Sequence, residues 1–88
     1  MFVYILYSAS YDKYYIGHTN DMDRRINEHN GDDAGWTKSY QPWEIAHKER
    51  CSDRLTAIEK EKYLKSLKNK ERLQYYIAGW RNGTSGGS

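Results

Sequence analysis

The sequence predicts an α+β domain with the element order ββαβαα, and three observations carry that expectation. Two short apolar runs, Phe2 to Tyr7 and Tyr14 to Gly17, flank the polar connection Ser8-Ala9-Ser10-Tyr11-Asp12-Lys13, the pattern of a β-hairpin with a loop longer than the tightest turns. A short amphipathic segment with a capping residue at its start follows directly. After one more short apolar segment, the second half turns polar, with apolar residues at helical spacing.

In the first run Phe2, Tyr4 and Leu6 alternate with Val3, Ile5 and Tyr7, so both faces are apolar or aromatic, as in a strand covered on two sides. This segment is expected to be the central strand. Asn20 and Asp21 are good helix N-caps, and Met22, Ile26 and His29 fall in one stripe at helical spacing, which predicts a helix from about Asp21 to Glu28 ended by Asn30-Gly31. At 100° per residue, Arg25 lies beside the inward stripe and Arg24 nearly opposite it, so the adjacent arginines have different tasks: Arg25 inward, Arg24 solvated. From Gly31 to Pro42 the chain is polar and irregular, a long loop for so small a domain, and such loops are more often functional than idle. Within it, Trp36 beside Lys38 either stacks a base next to a phosphate or closes the edge of the core. Trp43 to Lys48 reads as a third strand, Asp53 caps a helix through about Ser66, and Asn69 caps another through about Ala78. Gly83 to Ser88 has linker composition, so the expected domain covers residues 1–79 with 80–88 as a flexible C-terminal tail.

Composition narrows the function classes. With 88 residues the chain has room for one core and no second domain. Nine tyrosines and three tryptophans supply much of the apolar area of a chain that is only 38% hydrophobic, which leaves some phenols available for chemistry or stacking. A formal charge of +2 is too small for bulk charge alone to argue nucleic-acid binding. Between Asp53 and Arg72, however, seven Lys or Arg stand against four acids, which is either a local basic face or an ordinary solvated helix surface. A lone Cys51 cannot form an internal disulfide, and no run of 18 apolar residues or basic leader is present, so the expected location is cytoplasmic. His18, His47 and Cys51 are not spaced as a metal cluster, and no phosphate-cradling glycine loop or nucleophile elbow occurs.

One carboxylate stands out. On the helix after Asp53, Ala57, Ile58 and Leu64 define the inward stripe, and Glu61 lies in its middle while Glu59 points away. An ionised carboxylate there needs a partner: an ion pair, with Arg54 or Lys65 in helical reach, a hydrogen-bond network, or a metal.

Val3-Tyr4-Ile5, then Tyr15-Ile16-Gly17, then Arg25 and His29 ten and fourteen residues past Tyr15, then a glutamate on a later helix: this combination resembles the GIY-YIG nuclease superfamily over about Phe2 to Ile77. The length is similar to that of the small stand-alone bacterial branch. The resemblance implies a three-stranded antiparallel sheet flanked by helices and hydrolysis of DNA phosphodiesters with a single divalent metal, Mg²⁺ or Mn²⁺. Position by position it implies Tyr15 as the catalytic tyrosine, Tyr4 as a second active-site tyrosine, Arg25 as the phosphate contact, His29 as the helix histidine and Glu61 as the metal ligand. Two departures stand out: Val-Tyr-Ile replaces Gly-Ile-Tyr, and His18 follows Gly17 where the excision-repair branch carries lysine.

Those residue types suit phosphodiester cleavage. Mg²⁺ held by one carboxylate retains positions for substrate oxygens, and a guanidinium offers planar, permanent donors to a phosphate. A phenol with an ordinary pKa of about 10 works as a base near neutrality only if neighbouring cations favour its phenolate, whereas an imidazole titrates near 6.5, so Tyr15 and His29 are both candidates. Gly17 permits close backbone approach or serves a turn. The alternative reading is a catalytically weak or inactive nucleic-acid-binding module of the same fold, using the basic helices and the aromatics Trp36, Tyr40 and Trp43.

Overall fold

A computed structural model of the chain describes residues 1–32, 35–67 and 69–87, the last stretch as backbone only from residue 80. Asp33 in the long loop, Lys68 of the basic stretch and Ser88 lie outside the described residues. Strands β1 (Phe2–Ser8) and β2 (Lys13–Thr19) form the expected hairpin, helix α1 (Met22–His29) follows, and β3 (Glu44–Arg50) leads into α2 (Arg54–Ser66) and α3 (Lys70–Gly87). The α+β order ββαβαα is therefore observed. The sheet is three-stranded with order β2-β1-β3 and antiparallel throughout. The doubly apolar first run is the central strand, since it alone must be covered on both faces.

The β1–β2 register places Tyr4 opposite Gly17 and Leu6 opposite Tyr15. Side chains alternate across the sheet, so Phe2, Tyr4, Leu6 and Tyr15 face α1 together with Met22, Ile26, Tyr40 and Trp43. Val3, Ile5, Tyr14 and Ile16 face the other way, against Ala57, Leu64 and Leu73 of α2 and α3. Full burial of a side chain such as Ile5 or Leu64 contributes roughly 1.5–3 kcal/mol, and this second face is the principal apolar core.

The caps follow the sequence. Asp21 accepts from the Arg24 amide at 3.1 Å, Asp53 from the Thr56 amide at 2.8 Å, and Asn69 from the Glu71 amide at 2.8 Å. Arg24 is exposed and Arg25 half-buried, as the helical wheel requires.

Three expectations need correction. The loop after Gly31 is not irregular throughout, because Gly35–Tyr40 forms a 3-10 helix that starts at Gly35 with φ +72°, a region open to glycine. Trp43 precedes β3 and is buried, with its indole N–H donating to the Thr37 carbonyl at 2.9 Å and its backbone amide to the Asn30 side chain. It therefore anchors the 3-10 segment and has no face open for base stacking; Tyr40 is half-buried in the same cluster. Helix α3 runs past Ala78 to Gly87, since no proline interrupts it. Among the described residues no helix is long and apolar enough to cross a membrane.

Candidate active site

Tyr4 is the centre of the polar constellation on the α1 face. Its ring is fully buried, and its hydroxyl reaches past Gly17 toward α1. A Cβ on Gly17 would lie 2.5 Å from the Tyr4 hydroxyl oxygen and 3.2 Å from a ring carbon of Tyr15, so this position is glycine to make room for the phenol. Neither a turn nor close approach of the backbone to a phosphate is needed to explain it.

From α1, Arg25 Nε donates to the Tyr4 oxygen at 3.1 Å, and His29 Nε2 lies 3.3 Å from the same oxygen. The one tyrosine proton is then directed to His29 Nε2, and His29 Nδ1–H donates to Thr37 Oγ1 at 3.3 Å on the 3-10 segment. This assignment follows from the hydrogen-bond network and uses the neutral imidazole. Electrostatics agree: burial, reinforced by the Arg25 guanidinium, holds the His29 pKa below its ordinary value. Burial also raises the Tyr4 pKa, despite the opposing hydrogen bond from Arg25, so this phenol stays protonated and orients its neighbours. Arg25 pairs through Nη1 with Glu28 at 3.3 Å, which leaves Nη2 without a partner among the described residues.

Tyr15 sits beside this network. Its ring is stacked on Tyr4 at 6.2 Å and tilted against His29 at 4.6 Å, and its hydroxyl makes no hydrogen bond among the described residues. Tyr15, Arg25, Glu28, His29, Trp36 and Thr37 line an open hollow of about 570 Å³.

Glu61 arrives from α2, the opposite face of the sheet. It lies beside β2, an edge strand, where its Oε1 accepts from His18 Nδ1 at 2.6 Å while Oε2 accepts from Lys65 at 2.8 Å. Burial alone would raise this carboxyl's pKa, but the bonds from Lys65 and His18 outweigh it and the net direction is down. The carboxylate's field extends to the Tyr4 phenol, whose pKa it raises. Of the two cations in helical reach, Lys65 is a partner and Arg54 is not among the described pairs.

The structure thus joins Tyr4, Tyr15, Arg25 and His29 in one connected group, with Glu61 within electrostatic range. Sequence reasoning had set His18 aside, yet strand alternation puts it on the Ile16 face, toward α2, where a partner for Glu61 was required. Thr37 carried no such signal, because its position depends on how the loop folds. His47 is buried and paired with Glu49 at 3.2 Å, and Cys51 lies in the apolar core, so both have structural roles. Asn69 serves as the cap of α3.

Among the described residues no group of three or more His, Cys, Asp or Glu is placed to hold an ion. Glu61 is an ionised carboxylate within electrostatic range of Tyr4, with its two oxygens bonded to His18 and Lys65; Mg²⁺, which takes few protein ligands and completes its shell with water and substrate phosphate, would displace one of those bonds to be held there.

A UPF0213 protein of Natronomonas pharaonis is 37% identical over 75 residues, 82% of this chain and 87% of the relative. The UPF0213 protein YazA of Bacillus subtilis is 36% identical over 72 residues, 81% of this chain and 72% of the relative. A UPF0213 protein of Haloquadratum walsbyi is 34% identical over 74 residues, 83% of this chain and 82% of the relative. No solved structure matches the chain. The model of the GIY-YIG catalytic domain matches residues 1–76, and the chain belongs to that family of nucleases.

Proposed function

We propose that this chain is a metal-dependent DNA endonuclease that hydrolyses phosphodiester bonds, with residues 1–79 as its catalytic unit. The observation that supports it most is the phenol of Tyr4 bonding Arg25 and His29 at once, over a glycine that leaves space for nothing else. Such an arrangement fixes a guanidinium edge and a neutral imidazole on one wall of a hollow, the preorganisation that phosphoryl chemistry requires.

In this reading the free Nη2 edge of Arg25 binds a nonbridging oxygen of the scissile phosphate. Tyr15 takes the proton of the attacking water, since it lines the hollow and its hydroxyl makes no hydrogen bond among the described residues. His29, bonded at both ring nitrogens, is a positioning residue that keeps Tyr4 and the 3-10 segment in place. As water oxygen bonds to phosphorus, the bond to the leaving oxygen breaks and that oxygen takes a proton from solvent water, to which Tyr15 afterwards returns the proton it received. Glu61 would hold Mg²⁺ or Mn²⁺, which supplies charge neutralisation at the reacting phosphate.

Glu61→Ala tests the assignment. The variant is expected to stay folded and to bind DNA in the presence of a chelator, and to lose cleavage with Mg²⁺ or Mn²⁺ by on the order of 10²- to 10³-fold. A variant that cleaves at the wild-type rate overturns the role of Glu61. Wild-type protein that binds DNA but yields no metal-dependent product overturns the endonuclease reading as a whole.

A further inference from the structure

A second hollow, of about 490 Å³, runs along the free edge of β2 and is separated from the first only by Tyr15 and Trp36, which line both. Its walls are unlike those of the first. Tyr11, Tyr14, Tyr15 and Trp36 supply aromatic surface, Leu64 and Leu73 an apolar floor, and Lys13, Lys65 and Lys70 a rim of ammonium groups, of which Lys65 is paired with Glu61 and Lys70 with Asp12. The volume falls in the range of about 300–1,000 Å³ over which small-molecule sites occur.

Two aromatics here are exposed beyond what packing explains. Trp36 is 62% exposed and Tyr11 54% exposed, while other large aromatics of the same cluster, Tyr40 and Trp43, are half-buried or buried. Trp36 meets Tyr15 at 5.6 Å and Tyr40 at 5.9 Å, both at steep angles, so neighbouring rings support it without stacking on its faces. Tyr11 is held the same way, edge-on to Tyr40 at 5.3 Å. An open indole face, a second exposed phenol and cations at the rim are the elements of a site that stacks a flat heteroaromatic group carrying a phosphate.

We propose that this hollow receives an unpaired base of the DNA strand whose phosphate lies at Arg25, and that the enzyme therefore acts on single-stranded DNA or on single-stranded segments of branched DNA. The inference rests on the function proposed above. The shared wall is what couples the two sites: a strand crossing from Arg25 past Tyr15 carries its neighbouring base to the face of Trp36. A base within an intact duplex is already stacked and paired, and must be extruded at a cost before it can enter. Stacking does not read base identity, because every base has a π face, so the preference is for strand state and not for sequence.

The test measures binding in a chelator, so that it does not depend on cleavage. Wild type, Trp36→Ala, Trp36→Phe and Tyr11→Ala are titrated with a thymine oligonucleotide, with the same oligonucleotide containing abasic positions, and with a duplex of equal length. The expected result is that Trp36→Ala weakens single-strand binding by roughly ten-fold, within the range for one stacked base, that Tyr11→Ala weakens it less, and that Trp36→Phe restores most of the loss. The abasic strand should bind wild type as weakly as the intact strand binds Trp36→Ala, and duplex affinity should be unchanged. Equal losses on single strand and duplex, or no difference between abasic and intact strands, overturn the proposal. The endonuclease reading fails separately, on the absence of metal-dependent product from wild type.

Discussion

The two faces of the sheet are made from the same strands and serve opposite ends. On the α2/α3 side, Val3, Ile5, Ala57, Leu64 and Leu73 form an apolar cluster, bordered by the buried His47–Glu49 pair and the Tyr76 hydroxyl that donates to Glu49. On the α1 side, alternate residues of the same strand are interrupted by a buried phenol that bonds a guanidinium and an imidazole. A buried polar group without partners costs free energy, so the second face is tolerable only because each member is bonded to another, and stability must come mainly from the first. Glu61 couples the two regions: it is mounted on the stabilising face, where it bonds His18 and Lys65, and acts on the polar one through its charge, which raises the Tyr4 pKa.

The largest expected effect separates the faces most directly. Leu64→Ala removes a fully buried side chain from the apolar cluster and should destabilise the domain by about 2–5 kcal/mol, a large part of the stability of a chain this size. Chemical denaturation measures it. If Leu64→Ala proved milder than the corresponding change of Leu6 on the α1 side, the assignment of stability to the α2/α3 face would be wrong.

Much of this division was legible in the sequence and some was not. Double apolar alternation in Phe2 to Tyr7 identified the central strand, and the 100° rotation between Arg24 and Arg25 told the exposed arginine from the inward one. Glu61 was conspicuous because a carboxylate in an apolar stripe demands a partner. The partner was hidden, since His18 meets Glu61 across 43 positions of sequence and only the packing of α2 on β2 brings them together. The 3-10 segment was illegible for a related reason: Gly35 to Tyr40 has no helical stripe, and its geometry is held by Trp43 and Thr37, which bond after the chain has returned. Positions set by local patterns were legible, and contacts made across the chain, His18 to Glu61 and Thr37 to His29, were not.

Gly17→Ala is expected to have the next largest effect. The added methyl group would sit 2.5 Å from the Tyr4 oxygen in a filled space, so either the phenol leaves Arg25 and His29 or the hairpin shifts. Overpacking of this kind costs roughly 1–3 kcal/mol. The informative comparison is with Tyr4→Phe, which removes the hydroxyl and leaves the ring. If the steric reading is right, the double variant Tyr4→Phe/Gly17→Ala should be less destabilised than the sum of the single changes, and denaturation midpoints for the four proteins decide it. Strict additivity would show that the two positions are not coupled.

The smallest effect concerns protons and bears on the polar face alone. His29 is held neutral by burial and by Arg25, with a folded-state pKa below the ordinary value near 6.5. As pH falls through 6.5 the unfolded chain takes up a proton that the folded one refuses, so stability declines toward acid and the decline ends at the depressed folded pKa. The slope from one such group cannot exceed about 1.4 kcal/mol per pH unit. Carboxyls with lowered pKa values, Asp12 beside Lys70, Asp53 at its cap and Glu61, act in the same direction but only below their unfolded values near 4, so the His29 contribution sets in at higher pH than theirs. His29→Gln, which keeps hydrogen-bonding atoms but does not titrate, should flatten the dependence of the denaturation midpoint between about pH 7 and 5 relative to wild type. His18 and His47 are common to both proteins and cancel in that difference. An unchanged slope would mean that His29 protonates as readily in the fold as out of it, and that the neutral Tyr4–His29–Thr37 chain is not the arrangement present in solution.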